Sequence, residues 1–206
     1  MNMSEASRTR PKQYYDRVAK NYSRMITQGI GGVMKKREKN SLMHLLSPRR
    51  GERVLDVGCG SGFYARLIRS QGAAIFCVDI SPNMVEVVKR AGIDAEVHDA
   101  QRLNLNREFD KILCAGPLEF CKQPLEALKN LRRHVAKEGC LVLSVLNVSF
   151  VGVAYKLYHM CHGFQINLFS LNRITSLLGQ AGFRIETVER PTSFLYVIKA
   201  RPTGHS

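Results

Sequence analysis

Between Arg53 and Ala200 the spacing of hydrophobic positions switches repeatedly between two periods. Short segments at 53–57, 73–78, 94–98, 111–115 and 140–146, most of them apolar, have the length of strands. Between them, at 63–70, 82–91 and 125–135, apolar residues recur three or four apart, which predicts helices. Ser81 followed by Pro82 predicts an N-cap and first helical turn. Such alternation predicts a parallel sheet with helices on both faces. The end of the chain reads differently. A helix over 171–181 precedes two strand-like segments, 183–189 and 193–200, separated only by Arg190, Pro191 and Thr192. A connection that short makes the two strands antiparallel, as a hairpin. The expected fold is α/β: a doubly wound open sheet of seven strands, the last antiparallel.

The stretch before Arg53 is helical in pattern. Tyr14, Tyr15, Val18, Ala19, Tyr22 and Met25 follow helical spacing from Pro11 to about Thr27, after a polar tail at 1–10. Gly29, Gly31 and Gly32 predict a break, and a second helix runs from about Val33 to Ser47, where Pro48 stops it. The expected organisation is a basic helical cover at 1–50 and a ligand-binding core at 51–206. Within that core, about 147–170 is expected to be a lid.

Composition narrows the class. With 206 residues, 45% hydrophobic and 23% charged, the chain has enough material for one well-cored domain and is not a disordered sequence. No apolar run approaches the ~20 residues that span a bilayer, and Met1–Glu5 opens no apolar signal region. The six cysteines form no CxxC pair, the usage of reduced core residues. A cytoplasmic protein is expected, with peripheral contact at a membrane as an open alternative. The net charge is +14, and it is uneven: residues 1–50 hold 12 Lys+Arg and 3 Asp+Glu, the rest 19 and 14. That asymmetry suits nucleic acid, an anionic membrane surface or an acidic substrate, and equally a solvated basic helix face.

The chemistry concentrates in Val54-Leu55-Asp56-Val57-Gly58-Cys59-Gly60-Ser61-Gly62. A buried strand ends near an acid, and alternating glycines then let backbone approach a ligand beyond the strand's carboxyl end. The G-x-G-x-G spacing and bulky Phe63 argue against a pyrophosphate helix. Asp56 would repel a phosphate and suit an amino group. Asp79 closes the second strand, where an acid accepts hydrogen bonds from ribose hydroxyls, and Asp99 follows the third.

At these residues the chain resembles the class I S-adenosylmethionine-dependent methyltransferases, from Tyr14 to Ala200, and their Rossmann-like sheet. The resemblance implies cofactor contacts from Asp56, Gly58, Gly60 and Gly62. It implies a ribose contact from Asp79 and adenine contacts from Ile80, Met84, Asp99 and Ala100. It further implies methionyl contacts from the segment ending at Ala115. Leu177–Phe183 is similar to the family's lead into its antiparallel strands. Tyr15-Asp16-Arg17-Val18-Ala19-Lys20-Asn21-Tyr22 is similar to the family's mobile cover, implying a substrate contact from Tyr15 and a cofactor contact from Tyr22. Lys36 or Arg37 is a candidate for the methionyl carboxylate, against plain solvation at the surface. Leu118-Glu119-Phe120 is similar to the Leu-Glu-His of small-molecule and quinone-pathway relatives, with Phe120 in place of the His.

Two absences bear on the acceptor. No Asn/Asp-Pro-Pro-Tyr-like motif stands at 115–120, and neither Cys114 nor Cys121 follows a Pro or Thr as a cytosine-directed nucleophile would. A small-molecule or lipid-like acceptor is expected before nucleic acid. The apolar segment 150–164 is the expected acceptor element. At helical spacing Tyr155, Tyr158, His159 and His162 share one face. His159, His162 and Tyr158 are the catalytic candidates, to orient an acceptor and take its proton, or else are hydrogen-bonded bystanders. Tyr155 and Glu119 are the substrate-contact candidates. His159, Cys161 and His162 make too small a ligand set for a metal, and none is expected. The function expected is S-adenosylmethionine-dependent methyl transfer to O or N of a small, apolar or aromatic acceptor. The alternatives are a phospholipid or membrane-delivered lipid methyltransferase, an RNA or protein methyltransferase, and a non-catalytic cofactor-binding regulator.

Overall fold

Strand length and order follow from which segments are apolar on both faces. The computed structural model describes residues 29–161 and 165–204. The helix expected over 11–27, with Tyr15 and Tyr22, lies outside the described residues, and so does His162.

Helix α1 (Gly29–Leu46) leads into β1 (Arg53–Val57), α2 (Phe63–Ser70), β2 (Ala74–Asp79), α3 (Pro82–Arg90) and β3 (Asp94–Val97). Then come β4 (Phe109–Ala115), α4 (Pro124–His134), β5 (Val135–Leu146), α5 (Phe150–Cys161), α6 (Leu171–Gln180), β6 (Phe183–Thr192) and β7 (Leu195–Pro202). The seven strands form one sheet in the order β3-β2-β1-β4-β5-β7-β6. Strands β1 to β5 are parallel, and β7 lies antiparallel between β5 and β6.

Alternation along the strands divides the interior into two layers. Leu55, Val57, Ile112, Cys114, Leu141 and Leu143 face the layer completed by Leu128, Leu131, Phe169 and Phe183. Val54, Leu113 and Val142 face the layer completed by Ile68 and by Leu42, Leu45 and Leu46 of α1. Both faces are covered, so the central strands read as continuous apolar runs.

Several boundaries move for physical reasons. The glycines at 29, 31 and 32 lie inside α1 and not in a break before it. Glycine costs a helix about 1 kcal/mol, which the burial of Leu42, Leu45 and Leu46 against the sheet outweighs. Val135 ends no helix but opens β5, pairing with Phe109; the register then shifts so that Lys111 faces Cys140. The last hairpin turns at Ser193 and Phe194, not at 190–192, because pairing carries β6 on to Thr192 opposite Leu195. Two short 3-10 turns, Ala100–Arg102 and Pro117–Phe120, follow β3 and β4 without any periodic signal.

Helix α5 stands apart. Of its side chains only His159 is buried, while Phe150 is 91% and Tyr158 62% exposed. A Cβ at Gly152 would come within 2.3 Å of the Asn147 carbonyl, so the helix leaves β5 by a close backbone crossing. Among the described residues no helix is long and apolar enough to cross a membrane.

Candidate active site

The turn after β1 is tied to β2. Gly58 and Cys59 donate their N–H groups to the Val78 carbonyl, at 2.7 and 3.2 Å. Gly60 N–H donates to Asp79 Oδ2 at 2.8 Å, and Ser81 N–H to Asp79 Oδ1 at 2.9 Å. One carboxylate therefore organises both turns. Gly58 has φ 69°, and a Cβ there would meet Pro117 Cγ at 2.1 Å. The position takes glycine because the loop after β4 presses against it. Asp99 caps the 3-10 turn after β3, accepting from Gln101 N–H at 2.9 Å.

These turns open on a cavity of about 550 Å³. It lies across the carboxyl ends of β1, β2, β4 and β5, where open α/β sheets bind ligands. Toward β2 and β3 it is bordered by Gly58, Gly60, Asp79, Ile80, Asp99 and Ala100. Toward β5 and β7 it is bordered by Lys35, Glu38, Glu119 and Ser144, and by the apolar Phe120, Val151, Tyr155, Phe194 and Leu195.

Burial shapes the ionisation of two carboxyls. Asp56 is 1% exposed, and its Oδ2 has no hydrogen-bond partner among the described residues. Burial, with the charge of Asp79 adding and that of Lys35 opposing, raises it to about 7. Glu119 is raised to about 8, first by burial; the Leu146 N–H opposes that shift, the charge of Glu38 adds to it, and Lys35 opposes it. Glu38 is itself paired, accepting from Lys35 Nζ and from Ser144 Oγ, each at 2.9 Å.

The structure gathers some candidates and separates others. Gly58, Gly60, Asp79, Ile80, Asp99, Ala100, Ala115, Glu119 and Tyr155 all border the cavity. Asp56 and Met84 are buried outside its wall, and Gly62, φ 77°, begins α2 behind it. His159 and Tyr158 are also off the wall. The His159 ring packs 4.3 Å from Tyr155, 5.4 Å from Tyr158 and 6.4 Å from Phe120, so the aromatic side chains enclose it. The expected shared face does unite Tyr155, Tyr158 and His159, but only Tyr155 turns toward the cavity. Lys36 and Arg37 are exposed and off the wall, and Lys35 takes the inward position one residue earlier. Lys35, Glu38 and Ser144 carry no motif. The available signal was the Lys35–Glu38 pair, spaced i, i+3 on a helix. Among the described residues no three His, Cys, Asp or Glu gather as a metal site.

A parallel sheet, a glycine turn after β1, an acid closing β2 and a cavity over the strand ends define a Rossmann-like ligand-binding fold. Residues 34–188 match the methyltransferase-domain family, and the chain belongs to it. It is similar to ubiquinone biosynthesis O-methyltransferases. With that of Xylella fastidiosa it is 28% identical over 157 residues, 65% of this chain and 63% of that protein. With the mitochondrial one of Schizosaccharomyces pombe it is 32% identical over 106 residues, 47% of this chain and 39% of that protein. The chain spans about half the length of the curated relatives it matches. Among solved structures it is similar in fold to magnesium protoporphyrin IX methyltransferase from Synechocystis PCC 6803 with bound SAH. The TM-score is 0.76 at 17% identity, covering 95% of this chain and 100% of that one. It is likewise similar to 1,6-didemethyltoxoflavin-N1-methyltransferase from Burkholderia thailandensis, with a TM-score of 0.75 at 17% identity over 99% and 92%.

Proposed function

We propose that this chain transfers a methyl group from S-adenosylmethionine to an oxygen or nitrogen of a small, apolar or aromatic acceptor. The observation that carries the reading is the two-sided cavity, polar turns toward β2 and apolar side chains toward β7. The residues fit the donor. Asp56 keeps an oxygen without a partner beneath the glycine turn, Gly58 and Gly60 bring bare backbone to the wall, and Asp79 and Asp99 set carboxylates where hydroxyl and amine donors find acceptors. Bound there, S-adenosylmethionine supplies an electrophilic methyl group. The chain supplies position: holding two reactants together is worth ~7–11 kcal/mol, and Phe120, Phe194 and Leu195 give the acceptor side apolar walls. Glu119, raised to about 8, takes a proton from the acceptor only once it ionises, in the alkaline range. Similarity to proteins named for ubiquinone biosynthesis favours a hydroxylated ring as acceptor.

The test is calorimetry with S-adenosylhomocysteine, followed by labelled methyl transfer to catechol. Micromolar binding and transfer support the reading, and a wild-type chain that binds no S-adenosylhomocysteine refutes it.

One observation favours delivery of the acceptor at a membrane surface. Helix α5 exposes Phe150, Val153, Leu157, Tyr158 and Met160, and its one charged residue is Lys156 in a chain of net charge +14. Co-sedimentation with phosphatidylglycerol vesicles, reduced by Phe150→Ser with Leu157→Ser, supports this. Equal recovery without vesicles removes it.

A further inference from the structure

Helix α1 brings one ion pair to the wall of the cavity. Lys35 Nζ donates to Glu38 Oε2 at 2.9 Å, and the Ser144 hydroxyl of β5 donates to Glu38 Oε1 at the same distance. The Tyr64 ring steadies the ammonium, its centre 4.9 Å from Nζ. The two side chains are only 22% and 15% exposed, so water and salt screen their charges weakly. Glu119 borders the same cavity and is buried. Its Oε1 accepts the Leu146 N–H at 2.9 Å, and its backbone carbonyl accepts the Asn167 N–H at 2.8 Å. Burial raises its carboxyl most; the Leu146 N–H lowers it, Glu38 raises it and Lys35 lowers it. The two members of the pair therefore act on Glu119 with opposite signs. The other titratable groups around this space are neutral or engaged elsewhere. Cys114 and Cys121 are thiols that burial holds above their usual range. Asp56 and Asp79 stand near the ends of β1 and β2, beneath the glycine turn. His98 pairs with Glu96 at 3.1 Å, and Lys122 stands beside Gln123, whose N–H binds Gln101. The His159 ring of α5 packs against Phe120.

We propose that Lys35 and Glu38 are positioning residues for the acceptor's base: the charges that α1 presents set the pH at which Glu119 ionises, and so the pH range in which the acceptor gives up its proton. The inference rests on the methyltransferase reading for the reaction and adds what tunes it. In the step concerned, a proton passes from the acceptor's O–H or N–H to the Glu119 carboxylate, and the electron pair stays on the acceptor atom. Lys35 favours the carboxylate and Glu38 disfavours it. While paired they present no net charge. When one is replaced by a neutral side chain, the other acts on Glu119 alone. Lys35→Met therefore moves the ionisation of Glu119 to higher pH, and Glu38→Gln moves it to lower pH. A purely structural role for the pair predicts no such reversal, because both substitutions break the same ion pair.

The test uses the whole chain, labelled with carbon-13 at the glutamate side-chain carboxyls, and follows their NMR signals against pH. Loss of one signal in Glu119→Gln identifies Glu119. Its midpoint is expected to rise by about one pH unit in Lys35→Met and to fall by about one in Glu38→Gln. The double variant is expected to return within about half a pH unit of the wild type. Melting curves confirm that each variant folds. The alkaline rise of kcat for catechol methylation, at saturating S-adenosylmethionine, is expected to move in the same two directions. A Glu119 midpoint that stays put in both folded single variants, or moves the same way in both, overturns the proposal. So does a kcat profile that ignores a shift seen by NMR. Calorimetry with S-adenosylhomocysteine separates the two readings. A wild type that binds none sinks the methyltransferase reading, while normal binding with an unmoved Glu119 midpoint sinks only the tuning by Lys35 and Glu38.

Discussion

The carboxylate of Asp79 receives the backbone N–H of Gly60 at 2.8 Å, so the last residue of β2 holds the turn that follows β1. Its other oxygen receives Ser81 N–H. Asp79→Ala leaves both donors without acceptors, at about 1–3 kcal/mol each. Its affinity for S-adenosylhomocysteine is expected to fall at least about tenfold, one factor of ten for each 1.4 kcal/mol. Asp79→Asn keeps one acceptor oxygen and is expected to fall between. Calorimetry on the three proteins checks the order.

Two glycines are expected to respond in opposite directions to alanine. At Gly58 the new Cβ would stand 2.1 Å from Pro117 Cγ on a backbone with φ 69°, so Gly58→Ala is expected to cost about 2–4 kcal/mol. Gly179 lies in α6 with nothing within 4 Å of the Cβ position. Gly179→Ala is expected to stabilise by about 0.5–1 kcal/mol. Urea denaturation of both variants gives the two signs.

Helix α1 shares the core of the sheet. Leu42 is 0% exposed, and Leu42→Ala is expected to cost about 2–5 kcal/mol in the main melting transition. Val33, 57% exposed, is expected to tolerate alanine within about 0.5 kcal/mol. If α1 belonged to a cover that detaches as a unit, Leu42→Ala would leave the main transition in place.

Glu119 ties stability to pH. Its carboxyl is raised from an ordinary 4.5 to about 8, mainly by burial, with Leu146 N–H, Glu38 and Lys35 the other groups acting on it. Below the lower value it is neutral in folded and unfolded chains alike. As pH rises through the window, the unfolded chain gives up this proton first, and the stability of the buried neutral form is lost. Glu119→Gln removes that dependence. It is expected to melt like the wild type near pH 4.5, and above it by roughly 4–8 °C near pH 8.5, for about 2 kcal/mol. Asp56 shifts the same way and retains its own smaller slope.

His159 and Tyr155 are expected to separate. His159 is enclosed by rings and lies off the cavity wall. His159→Phe is therefore expected to retain catechol methylation within about threefold, whereas Tyr155→Ala, which opens the wall, is expected to lose about tenfold. Initial rates at saturating donor decide it. A collapse in His159→Phe would return that ring to the chemistry.

What the sequence determined by itself was whatever is carried by neighbours along the chain. The alternation of strands and helices, the Ser81 cap and the glycine turn with Asp56 are written within a few residues of each other, in periods of 2 and 3.6. Asp79 was readable because it closes the apolar strand β2, and Asp99 because it stands just past the end of β3. What only the tertiary structure decided depends on elements far apart in the chain. Lys35 and Glu38 of α1 meet Ser144 of β5 and Glu119 after β4, and no local pattern says which face of α1 turns inward. Lys36 reads as well as Lys35 until Leu42, Leu45 and Leu46 set the rotation of the helix on the sheet. His159 looks chemical in sequence, and its neighbours enclose it in structure. The charge state of Glu119 is likewise a matter of packing, because desolvation belongs to the space around a carboxyl and not to its position in the chain.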